Sequence, residues 1–292
     1  MSRIDALLRE VGADWAAFSG PDAVTWATGH PIPVDGGPSP FTGGPALALA
    51  GRGGALGIVL SNVEAGGLPE GLEAEVYAGF AGTVTDQVAA YRAAVAELAR
   101  RLGVGGRIAV QAARHPASLD DLLPGPHPSL EPALDRLRAV KTAPEVAALR
   151  RVGAVAADAQ RAALRLTREG ASEVELLGEI RAVIEQAAGE RCPLVGEYVA
   201  SVERTAALGS PVGGRRLRRG DPVVCDLAPR VGGWWGDSCS AFTLGEPSEP
   251  WLRLWTRARD TLALAEATLR PGLRVGDFDA SLRAHMAGGG YA

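Results

Sequence analysis

Asp221-Pro-Val-Val-Cys-Asp-Leu-Ala-Pro-Arg-Val-Gly-Gly-Trp-Trp-Gly-Asp-Ser-Cys-Ser-Ala-Phe-Thr-Leu-Gly245 decides how this chain is read. Two β-prone runs flank Arg230-Val231-Gly232-Gly233, the composition of a hairpin loop. Pairing about the midpoint between Val231 and Gly232 sets Asp226 directly opposite Asp237, eleven residues later. Directly opposed residues hold their Cβ atoms about 4.5–5.5 Å apart. Two ionised carboxylates that close repel, and need a cation or a shared proton between them. Two divalent ions roughly 3.5–4 Å apart, bridged by carboxylates and a water, meet that need and create a hydrolytic nucleophile. The plain alternative is that both aspartates cap turns and face solvent. Spacing alone leaves both readings open.

The rest of the chain narrows the classes. At 292 residues there is room for two domains and a sizeable core. With 47% hydrophobic and 22% charged residues the composition is that of a soluble globular protein. A net charge of −4 offers no general attraction for nucleic acid or an anionic membrane. The cluster Arg215, Arg216, Arg218, Arg219 reads as a solvated loop, because no aromatic residues interleave with it. Cys192, Cys225 and Cys239 lack zinc-type or redox-type spacing, which points to a reducing, cytoplasmic setting. No run of 18 apolar residues occurs, so no membrane span is expected, and the N-terminus reads as an amphipathic helix and not a signal peptide.

Pattern divides the chain into a domain over residues 1–130 and a second over 131–292. The first alternates helix and strand: a helix over Ile4–Val11, a strand over Trp15–Phe18, strands within Ala46–Leu60 broken by Gly51-Arg-Gly-Gly54, a helix over Val84–Leu102 and a strand over Arg107–Gln111. Gly103-Val-Gly-Gly106 follows a helix and precedes a strand, the reverse of a dinucleotide fingerprint, so it reads as a helix C-cap and turn. This is an α/β domain. In the second, Thr142-Ala-Pro-Glu145 and Ser172-Glu-Val-Glu175 are capping boxes opening helices that run to about Arg168 and Ala188. Strands are expected over Gly196–Val202 and across the hairpin, then helices from Ser248 to Arg270 and over Gly276–Ala287. That order is α+β. Trp251 and Trp255, at helical spacing, read as core rather than interface.

These residues resemble the pita-bread metallopeptidase family of Xaa-Pro dipeptidases, aminopeptidase P, methionine aminopeptidases and creatinases. Arg136-Leu-Arg-Ala-Val-Lys-Thr-Ala-Pro-Glu-Val-Ala-Ala-Leu-Arg150 is similar to the bridge out of a creatinase-type N-terminal domain, and Val24-Thr-Trp-Ala-Thr-Gly29 to an element of that domain. Gly220 through Asp226 and Asp237 to Gly245-Glu-Pro-Ser248 resembles the first metal-ligand hairpin, and Arg270-Pro-Gly272 the turn after the next helix. The resemblance implies an α/β creatinase-like domain followed by an α+β pita-bread domain. It implies Asp226 and Asp237 as the first two of five ligands to two divalent metal ions, manganese with cobalt or zinc as alternatives. It also implies a short peptide substrate cleaved near its N-terminus, and a homodimer.

Departures accompany the likeness. The family's His-x-x-Gly-His-Gly segment and two later glutamates are absent, so the pita-bread domain reads as lacking its C-terminal part, and this chain alone is expected to bind metal weakly and be inactive. An open sheet edge and exposed apolar surface should follow. Downstream of Asp237, Glu246 and Glu249 sit at a helix start, Glu266 reads as a solvated helical residue and His285 as a surface or partly buried one. Ser210 in Leu208-Gly209-Ser210-Pro211 stands roughly where such peptidases carry a substrate-contacting histidine, which makes it the candidate substrate residue and leaves a proline requirement open. Gly236-Asp-Ser-Cys-Ser240 lacks the glycines of a serine nucleophile turn. The rival reading is a non-catalytic pita-bread module that binds peptide or protein.

Overall fold

The computed structural model describes residues 2–34, 39–83, 86–123, 125–207 and 209–291. It divides into two compact units, residues 1–151 with 230–235, and residues 152–229 with 236–292. Compactness thus cuts the chain at a different place from the 130/131 boundary drawn on sequence pattern.

The first unit contains α1 (Arg3–Glu10), β1 (Trp15–Phe18), α2 (Pro21–Thr28), β2 (Leu47–Gly51), β3 (Leu56–Ser61), β4 (Glu73–Tyr77), α3 (Gln87–Leu102), β5 (Ile108–Val110) and α4 (Glu131–Ala139). Its sheet runs β4-β3-β2-β1-β5, with β1–β2 and β2–β3 antiparallel and the two outer pairs parallel. The central strands Trp15-Ala-Ala-Phe18 and Leu47-Ala-Leu-Ala-Gly51 are apolar at every position because both sheet faces are covered. Alternation sends Ala16, Phe18, Ala48 and Ala50 into one core with Leu7, Leu8 and Val24. It sends Trp15, Ala17, Leu47 and Leu49 into another with Tyr91, Val95 and Leu98 of α3. Gly103 ends α3 at φ 69° with its N–H on the Ala99 and Arg100 carbonyls, the expected C-cap. The first residues expected in that helix, 84 and 85, lie outside the described residues.

Glu145 closes this unit. Its carboxylate accepts from Thr142 N at 2.6 Å, completing the expected capping box at the start of α5 (Ala143–Leu166). It also accepts from Arg3 Nη1 on both oxygens at 2.7 Å and from Trp26 Nε1 at 2.9 Å. Burial pushes this carboxyl upward, but the Thr142 and Arg3 hydrogen bonds outweigh it and hold the group below the ordinary glutamate value. A depressed folded-state pKa contributes stability above the unfolded value, and that stability is lost as pH falls through the folded one. Glu145→Gln is therefore expected to flatten the acid limb below about pH 4.5 in thermal unfolding. An unchanged acid limb would show that the carboxylate carries no such linkage.

From α5, most of which lies in the second unit, the chain continues through α6 (Glu173–Ala188), β6 (Leu194–Ala200), α7 (Val202–Thr205), β7 (Pro222–Val231), β8 (Trp234–Trp235), β9 (Ser238–Thr243), α8 (Glu249–Thr268) and α9 (Val275–Gly288). Residues 230–235, spanning the end of β7 and all of β8, belong to the first unit. β7 lies between β6 and β9, antiparallel to both. One face, with Tyr198, Cys225 and Ser240 in register, meets α5 through Gln160, which donates to the Cys225 and Ser238 carbonyls and accepts from Ser240. Small residues on α5, among them Val155, Ala156, Ala159 and Ala163, permit that approach. Ser172 and Glu175 form the second expected capping box.

Among the described residues no strand continues the sheet beyond β9, and α8 and α9 contain no buried residue. Trp255 is 40% exposed, with its Nε1 on the Ala241 carbonyl at 3.2 Å. It is not core as its spacing suggested, because no layer covers that helix face among the described residues. Glu266 is exposed, and His285 is half-buried with its Nδ1 at 2.9 Å from Thr261 Oγ1. No helix among the described residues is long and apolar enough to cross a membrane.

Candidate metal centre

The hairpin forms, but in a different register from the one expected. Val231 pairs with Trp234 and Arg230 with Trp235, so the loop is Gly232-Gly233 alone. Their φ angles of 55° and 82° suit a tight two-residue turn of the primed type, which glycine enters without strain. The pairing moves by two positions. Asp226 faces Cys239, not Asp237. Asp237 lies two residues nearer the turn, between β8 and β9, diagonal to Asp226. A shift of two preserves the face on which each side chain emerges, whereas a shift of one would have reversed it.

The face turned away from α5 carries Glu197, Asp226 and Cys239 as one row across β6, β7 and β9. Burial raises the Cys239 thiol, and the charges of Asp226, Asp237 and Glu197 raise it further. All three carboxylates therefore act on one atom. Cys225 is raised to about 12, by burial first and then by Cys239 and Asp226. Among the described residues no arginine or lysine pairs with Glu197, Asp226 or Asp237. Acids elsewhere are often neutralised: Asp221 by Arg215 at 2.7 Å, Glu179 by Arg168 at 2.7 Å, Asp121 by Arg92 at 2.6 Å.

Close backbone approach sets the height of this row. Gly196, at φ 126°, is the neighbour of Glu197, and a Cβ there would lie 2.0 Å from the Asp226 carbonyl oxygen. Only glycine lets β6 and β7 meet at this level.

Ser210 lies in the loop after β6. Its hydroxyl is shared between the Arg204 and Ala207 carbonyls, 3.1 Å from each. A Cβ added at Gly209 would stand 3.8 Å from Glu197 Oε1, so this loop borders the carboxylate row. Leu208 of the quoted segment lies outside the described residues. The loop hangs from Glu173, which is 0% exposed. Its carboxylate accepts from Ala200 N (2.8 Å), Gly213 N (3.0 Å) and Arg204 Nε and Nη2 (2.9 and 2.8 Å). Ser201, where β6 ends, adopts φ 98° and ψ 158°, a region almost confined to glycine that costs about 1–3 kcal/mol. Its N–H donates to Pro222 O at 3.0 Å, and Thr205 donates to its carbonyl. Arg215, read as part of a solvated loop, instead makes two hydrogen bonds to Asp221.

Sequence reading did not find Glu173, Glu197, Arg204 or Cys239. Glu173 looked like an ordinary acidic residue in a first helical turn, and its partner Arg204 is 31 residues away. Nothing local joins them.

The row suits a divalent cation in charge and in donor chemistry, being oxygen-rich with one thiol. It does not suit one in number: among the described residues no group of three or more His, Cys, Asp or Glu is arranged to hold a metal ion.

Comparisons with known proteins bear on the same region. The model of metallopeptidase family M24 matches residues 147–292. An uncharacterized peptidase, YqhT, of Bacillus subtilis is 26% identical over 159 residues, covering 54% of this chain and 45% of that protein. Methionine aminopeptidase B of Synechocystis is 26% identical over 176 residues, covering 57% of this chain and 63% of that one. The chain thus spans about half to two thirds of the length of these curated relatives. An Xaa-Pro dipeptidase from Bacillus anthracis superposes with a TM-score of 0.75 at 17% identity, over 99% of this chain and 77% of its own. That likeness shows the fold, the α/β and α+β pita-bread architecture expected from sequence. The family is one of divalent-metal-dependent enzymes, and the matched half of the chain contains both aspartates. The chain belongs to metallopeptidase family M24.

Proposed function

We propose that this chain carries part of the catalytic centre of a hydrolase of Xaa-Pro dipeptidase or aminopeptidase type, acting on a peptide bond near the N-terminus of a short peptide. The carboxylate row without a counter-cation, in the sheet of an M24 chain, carries this reading. Asp226 and Asp237 hold divalent ions, manganese being favoured by a carboxylate-rich donor set, with cobalt or zinc as alternatives. Such ions, when bound, supply a water acidic enough to attack an amide carbonyl near neutral pH. The residues of the chain do the rest. The two aspartates set the position of positive charge, Glu197 adds negative charge on the flank, and the Gly209-Ser210 segment walls the approach of the peptide. A homodimer in the cytoplasm belongs to the same proposal.

With two carboxylates in hand, the 292-residue chain is expected to bind Mn²⁺ weakly and to leave Xaa-Pro dipeptides uncleaved. Calorimetric titration with Mn²⁺ tests the assignment. Asp226→Asn and Asp237→Asn should each weaken binding by at least about tenfold, since loss of an outer-shell partner alone costs about 10–100-fold. Equal affinity in all three proteins would remove the aspartates from the site. The absence of a three-donor group favours a second reading, a non-catalytic peptide-binding module. That reading expects peptide binding with no Mn²⁺ response at all.

A further inference from the structure

Of the three histidines in the first unit, His115 and His127 lie side by side and take no part in the chemistry above. Their rings are 5.2 Å apart between centroids and tilted by 58°. His115 Nε2 is 3.1 Å from Asp120 Oδ1, and an ionised carboxylate only accepts, so this nitrogen carries the proton. Nδ1 is then left with a lone pair. It is buried and has no partner, in a side chain only 10% exposed. His127 presents the complementary arrangement. Its Nδ1 is 3.0 Å from the Ile108 carbonyl, which also only accepts, so Nε2 bears the lone pair, and no hydrogen bond engages it among the described residues.

We propose that His115 Nδ1 and His127 Nε2 form a binding site for one imidazole-preferring divalent ion of the Zn²⁺, Ni²⁺ or Cu²⁺ class. The spacing fits. With a metal–nitrogen bond of about 2.0–2.1 Å, each ring centroid stands about 3.2 Å from the ion, and a tetrahedral angle then sets the centroids about 5.2 Å apart. The outer contacts fit too. A metal-bound histidine nearly always donates its other N–H to a carboxylate or a backbone carbonyl, the roles filled here by Asp120 and Ile108.

Both rings are held in place. The His115 backbone N–H donates to Gln111 O at 2.8 Å, and the chain after His127 is tied down where Val110 N donates to Pro128 O at 3.0 Å. Gly125 lies against the His127 ring. A Cβ there would be 2.7, 2.8 and 2.9 Å from Cδ2, Nε2 and Cγ, near-equal distances that put it over the ring face. An ordinary buried histidine satisfies both nitrogens, so an unpartnered Nδ1 calls for a ligand. No third His, Cys, Asp or Glu joins them among the described residues, and water completes the coordination.

The test is a Zn²⁺ titration of the full chain carrying Asp226→Asn and Asp237→Asn, which silences the carboxylate row, read by NMR of the imidazole protons. Two of the four imidazole signals should shift together and saturate at one Zn²⁺ per chain, with Mg²⁺ giving no response. His115→Ala should abolish the shift. So should His127→Phe, which keeps a ring in place if the alanine variant fails to fold. Asp120→Asn should weaken binding about 10–100-fold. No shift up to millimolar Zn²⁺, or a shift confined to His30 and His285, overturns the proposal. So does a proton shared between the two rings, seen as a persistent imidazole N–H signal indifferent to Zn²⁺.

Discussion

Glu173→Ala is expected to lower the unfolding free energy by about 3–5 kcal/mol, the usual cost of removing one member of a buried ion pair. Four donors lose their acceptor at once: the Ala200 and Gly213 amides and two nitrogens of Arg204. For a chain of this size the melting temperature should fall by roughly 6–20 °C. Replacing both partners, Glu173→Leu with Arg204→Met, should recover much of the loss, because two apolar residues leave no buried charge behind. The loop over 201–213 should open first, so cleavage by trypsin after Arg204 should accelerate before global unfolding does. A fall of less than about 1 kcal/mol, within the range of an exposed pair, would show that the loop does not depend on this carboxylate.

Gly196→Ala should be nearly as damaging, and for a different reason. The atoms a new Cβ would meet are the Asp226 carbonyl oxygen and carbon at 2.0 and 2.8 Å and Leu227 Cα at 3.1 Å, all backbone, so no side chain can swing aside. The φ of 126° adds strain of about 1–3 kcal/mol for any residue but glycine. β6 and β7 must separate where Asp226 sits. The expected result is a loss of about 3 kcal/mol or more in stability, within the range of severe single substitutions. Mn²⁺ binding should weaken in parallel even though no ligand has been touched. Gly178→Ala is the control. That glycine is exposed within α6 with nothing within 4 Å of its added Cβ, and the change should stabilise by about 0.5–1 kcal/mol. If Gly196→Ala melts like Gly178→Ala, the close approach of the two strands is not a constraint on the site.

Local chemistry made much of this legible from residues alone. Capping boxes at Thr142 and Ser172 start helices where expected because both partners lie within one turn. Gly103 ends α3 because glycine reaches φ 69° at no steric cost. The hairpin was visible as two β-prone runs around glycines, but its register was not. Arg230-Val-Gly-Gly233 admits a four-residue loop or a turn on the glycine pair alone, and composition does not separate them. The Trp255 prediction failed for a related reason: helical spacing says which residues share a face, not whether anything covers it.

What the sequence determined by itself was parity and chemistry. Asp226 and Asp237 have side chains of the right kind, and any register shifted by an even number keeps them on one sheet face, since alternation is a property of the strand. What only the tertiary structure decided was company. The Gly232-Gly233 turn set Cys239 opposite Asp226, the pairing of β6 with β7 brought in Glu197, and a buried carboxylate from α6 hung the neighbouring loop beside them. Those partners are 13 to 40 residues apart in the chain, so their meeting depends on packing and turn geometry, which no local pattern encodes.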